Sequence, residues 1–106
     1  MPDARITVPA RVARGEPFEV RIQIRHAMET GYRTDDMGRA IPRNVVRTLT
    51  CRYGGETVFA ARLSSGIAAN PYLRFFVTAV AAGELTFDWI DDIGTRGSDR
   101  VVVNVA

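Results

Sequence analysis

Phe18-Glu19-Val20-Arg21-Ile22-Gln23-Ile24-Arg25 alternates without a break, placing Phe18, Val20, Ile22 and Ile24 on one face and charged or polar side chains on the other. A period of two marks a strand with one face in the core and one in water, as antiparallel sheets require. The turn signal Arg14-Gly15-Glu16-Pro17 precedes it.

The same reading extends both ways along the chain. Residues 4–8 (ARITV) make a first strand that Pro9 stops or confines to an edge. Val45 to Tyr53 makes a third, with Val45, Leu49, Cys51 and Tyr53 to one side, and Gly54-Gly55 turns it tightly into Glu56 to Leu63. Ser64 to Pro71 is a connection with room for one helical turn. Tyr72 to Val80 follows, with Leu73, Phe75, Val77 and Ala79 in phase, then Glu84 to Ile90 with Leu85, Phe87 and Trp89 in phase. Asp91-Asp92-Ile93-Gly94 is a turn, and Arg100 to Val105 ends the series with Val101, Val103 and Val105 inward. No segment sustains a helical period. Seven short antiparallel strands in 106 residues predict an all-β, immunoglobulin-like sandwich forming one domain over residues 1–106.

Composition narrows the function. Hydrophobic residues are 46% and charged residues 25%, enough for a core without disulfide or metal staples. The net charge is +2 with no basic block, which gives nucleic-acid binding little electrostatic support. All 14 basic residues are Arg, through codon bias or through use of the planar fork at an interface. No apolar run approaches a membrane span, and the N-terminus lacks the apolar region of a signal peptide.

One segment is too long for a connection. Residues 26–44, beginning His26-Ala27-Met28-Glu29-Thr30-Gly31-Tyr32-Arg33 and closing through Ile41-Pro42-Arg43, hold the only His, two of the three Met and a Tyr. Connections beyond about 12–15 residues are usually functional or disordered, and the complexity here argues for an ordered loop built to make contacts.

Candidate chemistry is sparse. Cys51 falls on the apolar phase of its strand, which makes it a core residue with a raised thiol pKa; a thiol enzyme is the competing reading. His26, Met28 and Met37 offer an imidazole and two thioethers to a copper ion. Against that, the His can hydrogen-bond loop backbone and Met28 can plug the end of the sandwich. Asp35-Asp36 and Asp91-Asp92 are adjacent pairs beside Gly, which is turn chemistry; at Asp91-Asp92-Ile93-Gly94 it competes with Ca²⁺ ligation. Asn70 precedes Pro71 and is expected to be extended, presenting Tyr72 for surface contact. No cofactor site assembles.

Taken in order, His26-Ala27-Met28-Glu29-Thr30-Gly31, Asp35, Gly38, Ile41-Pro42-Arg43, Thr50-Cys51, Ala69-Asn70-Pro71-Tyr72 and Trp89-Ile90-Asp91-Asp92-Ile93-Gly94 resemble the SoxZ family. These are the Z subunits of SoxYZ, the sulfur carrier of the bacterial thiosulfate-oxidising Sox system, and the resemblance runs from about residue 4 to the C-terminus. It implies an immunoglobulin-like sandwich that is not an enzyme and pairs with a Y subunit. That subunit's cysteine, on a Gly-rich C-terminal arm, carries the sulfur intermediate. This chain ends Val103-Asn104-Val105-Ala106 without such an arm. The family also implies a periplasmic location reached by export with a signal-bearing partner, and transient docking to other Sox enzymes. Isolated, the chain is expected to cover its apolar face by forming a homodimer. The residues expected at the partner interface are His26, Met28, Glu29, Tyr32, Arg33, Ile41, Arg43, Asn70 and Tyr72. Arg33, Arg39 and Arg43 are further candidates for docking enzymes or assisting an anionic thiosulfonate.

Overall fold

The alternating pattern places one side chain in two against a facing sheet, and a computed structural model describes the result for residues 4–64 and 69–106. Among the described residues there are seven strands: β1 (Ala4–Thr7), β2 (Pro17–Ile24), β3 (Val46–Tyr53), β4 (Glu56–Arg62), β5 (Tyr72–Thr78), β6 (Gly83–Asp91) and β7 (Arg96–Val103). They form two antiparallel sheets, one ordered β1-β2-β5 and the other β4-β3-β6-β7. The expected immunoglobulin-like sandwich is therefore present, and the proposed turn within 64–71 falls largely on residues 65–68, outside the described ones.

Each sheet turns its apolar phase inward. Phe18, Val20, Ile22 and Ile24 of β2 and Phe75 and Val77 of β5 face Leu49, Cys51 and Tyr53 of β3 and Leu85, Phe87 and Trp89 of β6, all buried. Phe59 of β4 stacks on Phe75 of β5, with ring centroids 4.0 Å apart, closing one flank of the sandwich. Between β3 and β4, Gly54 and Gly55 both adopt positive φ (58° and 88°), as a two-residue primed turn demands and a side chain would resist.

The last strand starts earlier than its sequence suggests. Arg96-Gly97-Ser98-Asp99 reads as loop, yet it pairs with β6, Gly97 lying opposite Trp89. The cause is steric: the Trp89 indole spreads over Gly97, and a Cβ there would collide with its Cε2 and Nε1 atoms. A glycine that weakens an isolated strand here makes room for the largest side chain of the core.

Gly97→Ala should accordingly lower stability by about 1–3 kcal/mol through overpacking, and Trp89→Ala by about 3–5 kcal/mol. In a Trp89→Leu background most of the Gly97→Ala cost should vanish, because the clashing ring is gone. Urea midpoints of the four proteins measure this, and additive losses would show that the ring does not hold the glycine in place.

Candidate functional site

The segment from residue 26 to 44 is a hairpin-like arm whose own backbone closes it. Glu29 and Asn44 exchange both backbone hydrogen bonds at 2.8 Å, the Ile41 N–H donates to the Arg33 carbonyl at 2.8 Å, and Thr34 and Ala40 form a further antiparallel bridge. At the tip, the Asp35 carboxylate accepts from the backbone N–H of Met37 (2.9 Å) and Arg39 (3.0 Å), the turn chemistry expected of an aspartate beside a glycine. The molecule measures 56 × 23 × 21 Å, longer than the roughly 30 Å that a nine-residue strand spans.

A latch holds the base of the arm. The Met28 N–H donates to His26 Nδ1 at 2.9 Å, so the ring proton lies on Nε2, which donates to Asp91 Oδ2 at 3.1 Å. The same carboxylate accepts from Asn44 Nδ2 (3.2 Å) and from the Thr95 N–H (2.8 Å). Asp91 is buried at the end of β6. That burial pushes its carboxyl up, but the hydrogen bonds from His26, the Thr95 backbone and Asn44 outweigh it and leave the group below its ordinary value. Asp92 completes the latch: it exchanges hydrogen bonds with the Val45 backbone through its carboxylate (3.1 Å) and its own N–H (3.0 Å), and it lies 3.5 Å from both Arg43 and Arg47. The Asp91-Asp92 pair thus fastens both ends of the arm.

Several expectations are corrected here. Asn70 is not extended but left-handed, with φ 52°. Its side chain accepts from the His26 N–H (3.0 Å) and its own N–H donates to the His26 carbonyl (2.7 Å), two bonds that offset a conformation asparagine tolerates. Met28, expected at the interface, is buried; its φ of 53° turns it inward, and its sulfur accepts from the Val46 N–H at 3.2 Å. It plugs the end of the core. The copper reading fails on the same contacts, since both His26 nitrogens and the Met28 sulfur are engaged while Met37 stands 77% exposed at the arm tip. Among the described residues no three His, Cys, Asp or Glu side chains gather as a metal site.

The other expected residues lie outside. Tyr32 is 91% exposed and Tyr72 54%. Arg33 grips Glu29 through two hydrogen bonds (3.0 and 2.6 Å), which hold that carboxyl below its ordinary value. Arg43 is exposed beside Asp92, Ile41 is half-buried, and His26 is largely buried in the latch. Sequence reasoning missed Asp91 as the shared partner of His26 and Asn44, and the exposure of Phe76 and Val80. The adjacent Phe75-Phe76 was the available signal, since one of two neighbouring strand residues must face outward. Cys51 is fully buried, and burial alone pushes its thiol up to about 12.

Comparison with known proteins places this geometry. The family model described as "Sulphur oxidation protein SoxZ" matches residues 6–102. No curated protein sequence matches. Among solved structures, a superoxide reductase (neelaredoxin) from Ignicoccus hospitalis is similar at 18% identity and TM-score 0.72, covering 97% of this chain and 80% of that one. A putative superoxide reductase from Thermotoga maritima is similar at 12% identity and TM-score 0.74, covering 97% and 85%. The sulfur carrier protein SoxY from Chlorobium limicola f thiosulfatophilum is similar at 9% identity and TM-score 0.67, covering 98% and 79%. At these identities the likeness is one of fold.

The latch predicts an acid-sensitive arm. Because the folded Asp91 carboxyl lies below its ordinary 3.8, ionised Asp91 stabilises the fold above that value, and the contribution is lost as pH falls through the lowered one. Asp91→Asn should cost about 1–3 kcal/mol at neutral pH by setting amide hydrogens against existing donors. The variant should then lose less than the wild type on going from about pH 5 to pH 2. Urea titrations at both pH values decide it; parallel losses would remove Asp91 from this role.

Proposed function

The chain belongs to the SoxZ family, and from that premise we propose that it is the non-catalytic half of a two-chain sulfur carrier for thiosulfate oxidation. In this reading it pairs with a Y subunit whose arm cysteine holds the covalent intermediate, and it works in the periplasm after export with that partner. Its contribution is surface: a rigid body beneath a mobile arm that must visit several enzymes.

The observation that carries the reading is the state of Cys51. A sulfur carrier needs a thiolate that solvent and substrate reach. Cys51 is the chain's one cysteine, it has no exposed surface, and its thiol is pushed up to about 12. This supports the reading that the carrying atom belongs to another chain. The arm supports the complementary role, for it exposes Tyr32 and Met37 with Arg33, Arg39 and Arg43 around them, and aromatic and Arg side chains are those enriched in protein interfaces. Each of these arginines has a carboxylate neighbour within the chain, which fixes it in place for docking an enzyme or an anionic adduct.

Co-expression with its Y-type partner should yield a stable complex in which thiosulfate-derived sulfur is found on the partner by intact-mass measurement. Cys51→Ala should leave that loading unchanged. A sulfane adduct on Cys51 of the isolated native chain would sink the proposal.

A further inference from the structure

The two flanks of the sandwich are built differently. On one, β1 is only four residues long and is followed by Pro9, while β7 opens with Arg96, Asp99 and Arg100. The end of β7 is also covered, since Val12 bridges Val105, accepts from the Ala106 N–H (2.8 Å) and donates to the Asn104 carbonyl (2.9 Å). Short, charged or covered edges are how proteins keep sheets from pairing with other chains. On the other flank both edge strands are seven residues long, β4 charged only at its ends by Glu56 and Arg62 and β5 only at Arg74, and among the described residues no strand pairs with either outer edge. There β4 and β5 are the terminal strands of their sheets, held side by side by the Phe59–Phe75 stack.

The hydrogen-bond phase shows what β5 offers. The Ile24 N–H donates to the Pro71 carbonyl, and Ala79 exchanges bonds with Gly15 and Glu16, so odd-numbered positions turn their polar groups toward β2. Strand periodicity then turns the N–H and C=O groups of Tyr72, Arg74, Phe76 and Thr78 toward the open edge, where no described residue meets them. Their side chains line the outer face, with Tyr72 54%, Phe76 63% and the following Val80 61% exposed. Among the described residues β5 is thus unpaired along one side, with Tyr72, Phe76 and Val80 on an outer face that Arg74 and Thr78 share.

We infer that the β5 edge, with the outer face of Tyr72, Phe76 and Val80, is where the Y subunit adds a strand to this sheet. The inference rests on the pairing proposed above. The solved SoxY shares this sandwich fold, which has edge strands to offer. Charge selects a partner strand bearing a carboxylate opposite Arg74. On this face Glu19 alone serves both Arg21 and Arg74 (3.6 Å), leaving a surplus of positive charge. A second copy fits less well: fully overlapped, antiparallel self-pairing of β5 is centred on Phe75 and makes the two Arg74 side chains diagonal neighbours. The edge also begins beside Asn70, whose two bonds to His26 tie the start of β5 to the base of the arm.

Two exposed substitutions test this in the full chain with its Y partner. Phe76→Glu places a charge in the contact, and Thr78→Pro removes an outward N–H without removing a bond to β2. Each should weaken the complex by at least about tenfold, while Val102→Glu on the opposite flank, at a site 57% exposed, should leave affinity unchanged. In the wild-type chain, amide exchange at Tyr72, Arg74, Phe76 and Thr78 should slow on complex formation, a readout independent of whether any variant folds. Wild-type affinity of both variants, or unchanged exchange at these amides, overturns the inference and leaves the pairing reading standing. Variants that break a dimer of the isolated chain but still bind the partner also overturn it, assigning the edge to a second copy. Failure of the wild-type chain to bind its partner at all takes down the pairing reading, and this inference with it.

Discussion

Among the described residues a single buried carboxylate organises the base of the arm. Asp91 lies where β6 leaves the sheet, and its two oxygens accept from the outgoing limb of the arm through His26, from the returning limb through Asn44, and from its own turn through Thr95. A carboxylate out of water needs such donors, because an unpaired charge in a nonpolar interior costs several kcal/mol. The constraint works in both directions. The fold supplies a place for the charge, and the charge fixes where a nineteen-residue excursion begins and ends. Beyond the latch the arm relies on its own backbone pairs, so its base is rigid and its tip presents side chains to solvent.

His26, Met28 and Cys51, the side chains the sequence offers for chemistry, are committed to the fold. Both nitrogens of the only histidine are used structurally, one methionine sulfur accepts a backbone bond inside the core, and the only cysteine is enclosed by apolar side chains. What the molecule exposes instead is contact material: Tyr32, Met37, Tyr72, Phe76 and a set of arginines each fixed by a nearby carboxylate. Aromatic and Arg side chains are the types enriched in protein interfaces. The likeness to superoxide reductases therefore reflects the sandwich they share and carries no chemistry across.

The fold was largely legible in the sequence because strand periodicity is local. Phe18 to Ile24 and Leu85 to Trp89 announce both their conformation and their buried face with no reference to the rest of the chain. β7 was misread at its start because Gly97 answers to a neighbour eight residues away, the Trp89 indole, and its strand pairing overrides its own weak propensity. The site was less legible for the same reason. His26 meets Asp91 across 65 positions and Asn44 meets it across 47, and no local pattern links residues so far apart. Asn70 shows the limit of a local rule: the following proline argues for extended backbone, but two hydrogen bonds to His26 select the left-handed conformation.

The same distinction separates the two faces of β5. Its inner phase, Leu73, Phe75 and Val77, is explained by this chain, because those side chains bury against the facing sheet. Its outer phase is not. Exposing Tyr72, Phe76 and Val80 forgoes roughly 25 cal/mol for each Å² of apolar surface left in water, and leaving the edge unpaired invites aggregation. The protected flank shows that this chain has the means to guard an edge, through charge, shortness and a covering segment. Among the described residues the packing of the sandwich explains the inner phase of this edge strand and leaves its aromatic outer phase without a covering element. Under the pairing proposed above, a second chain would supply a strand for the open backbone groups and apolar side chains for the outer face. On that reading stability and association become one quantity, so that part of the free energy holding this sandwich together would reside in its partner.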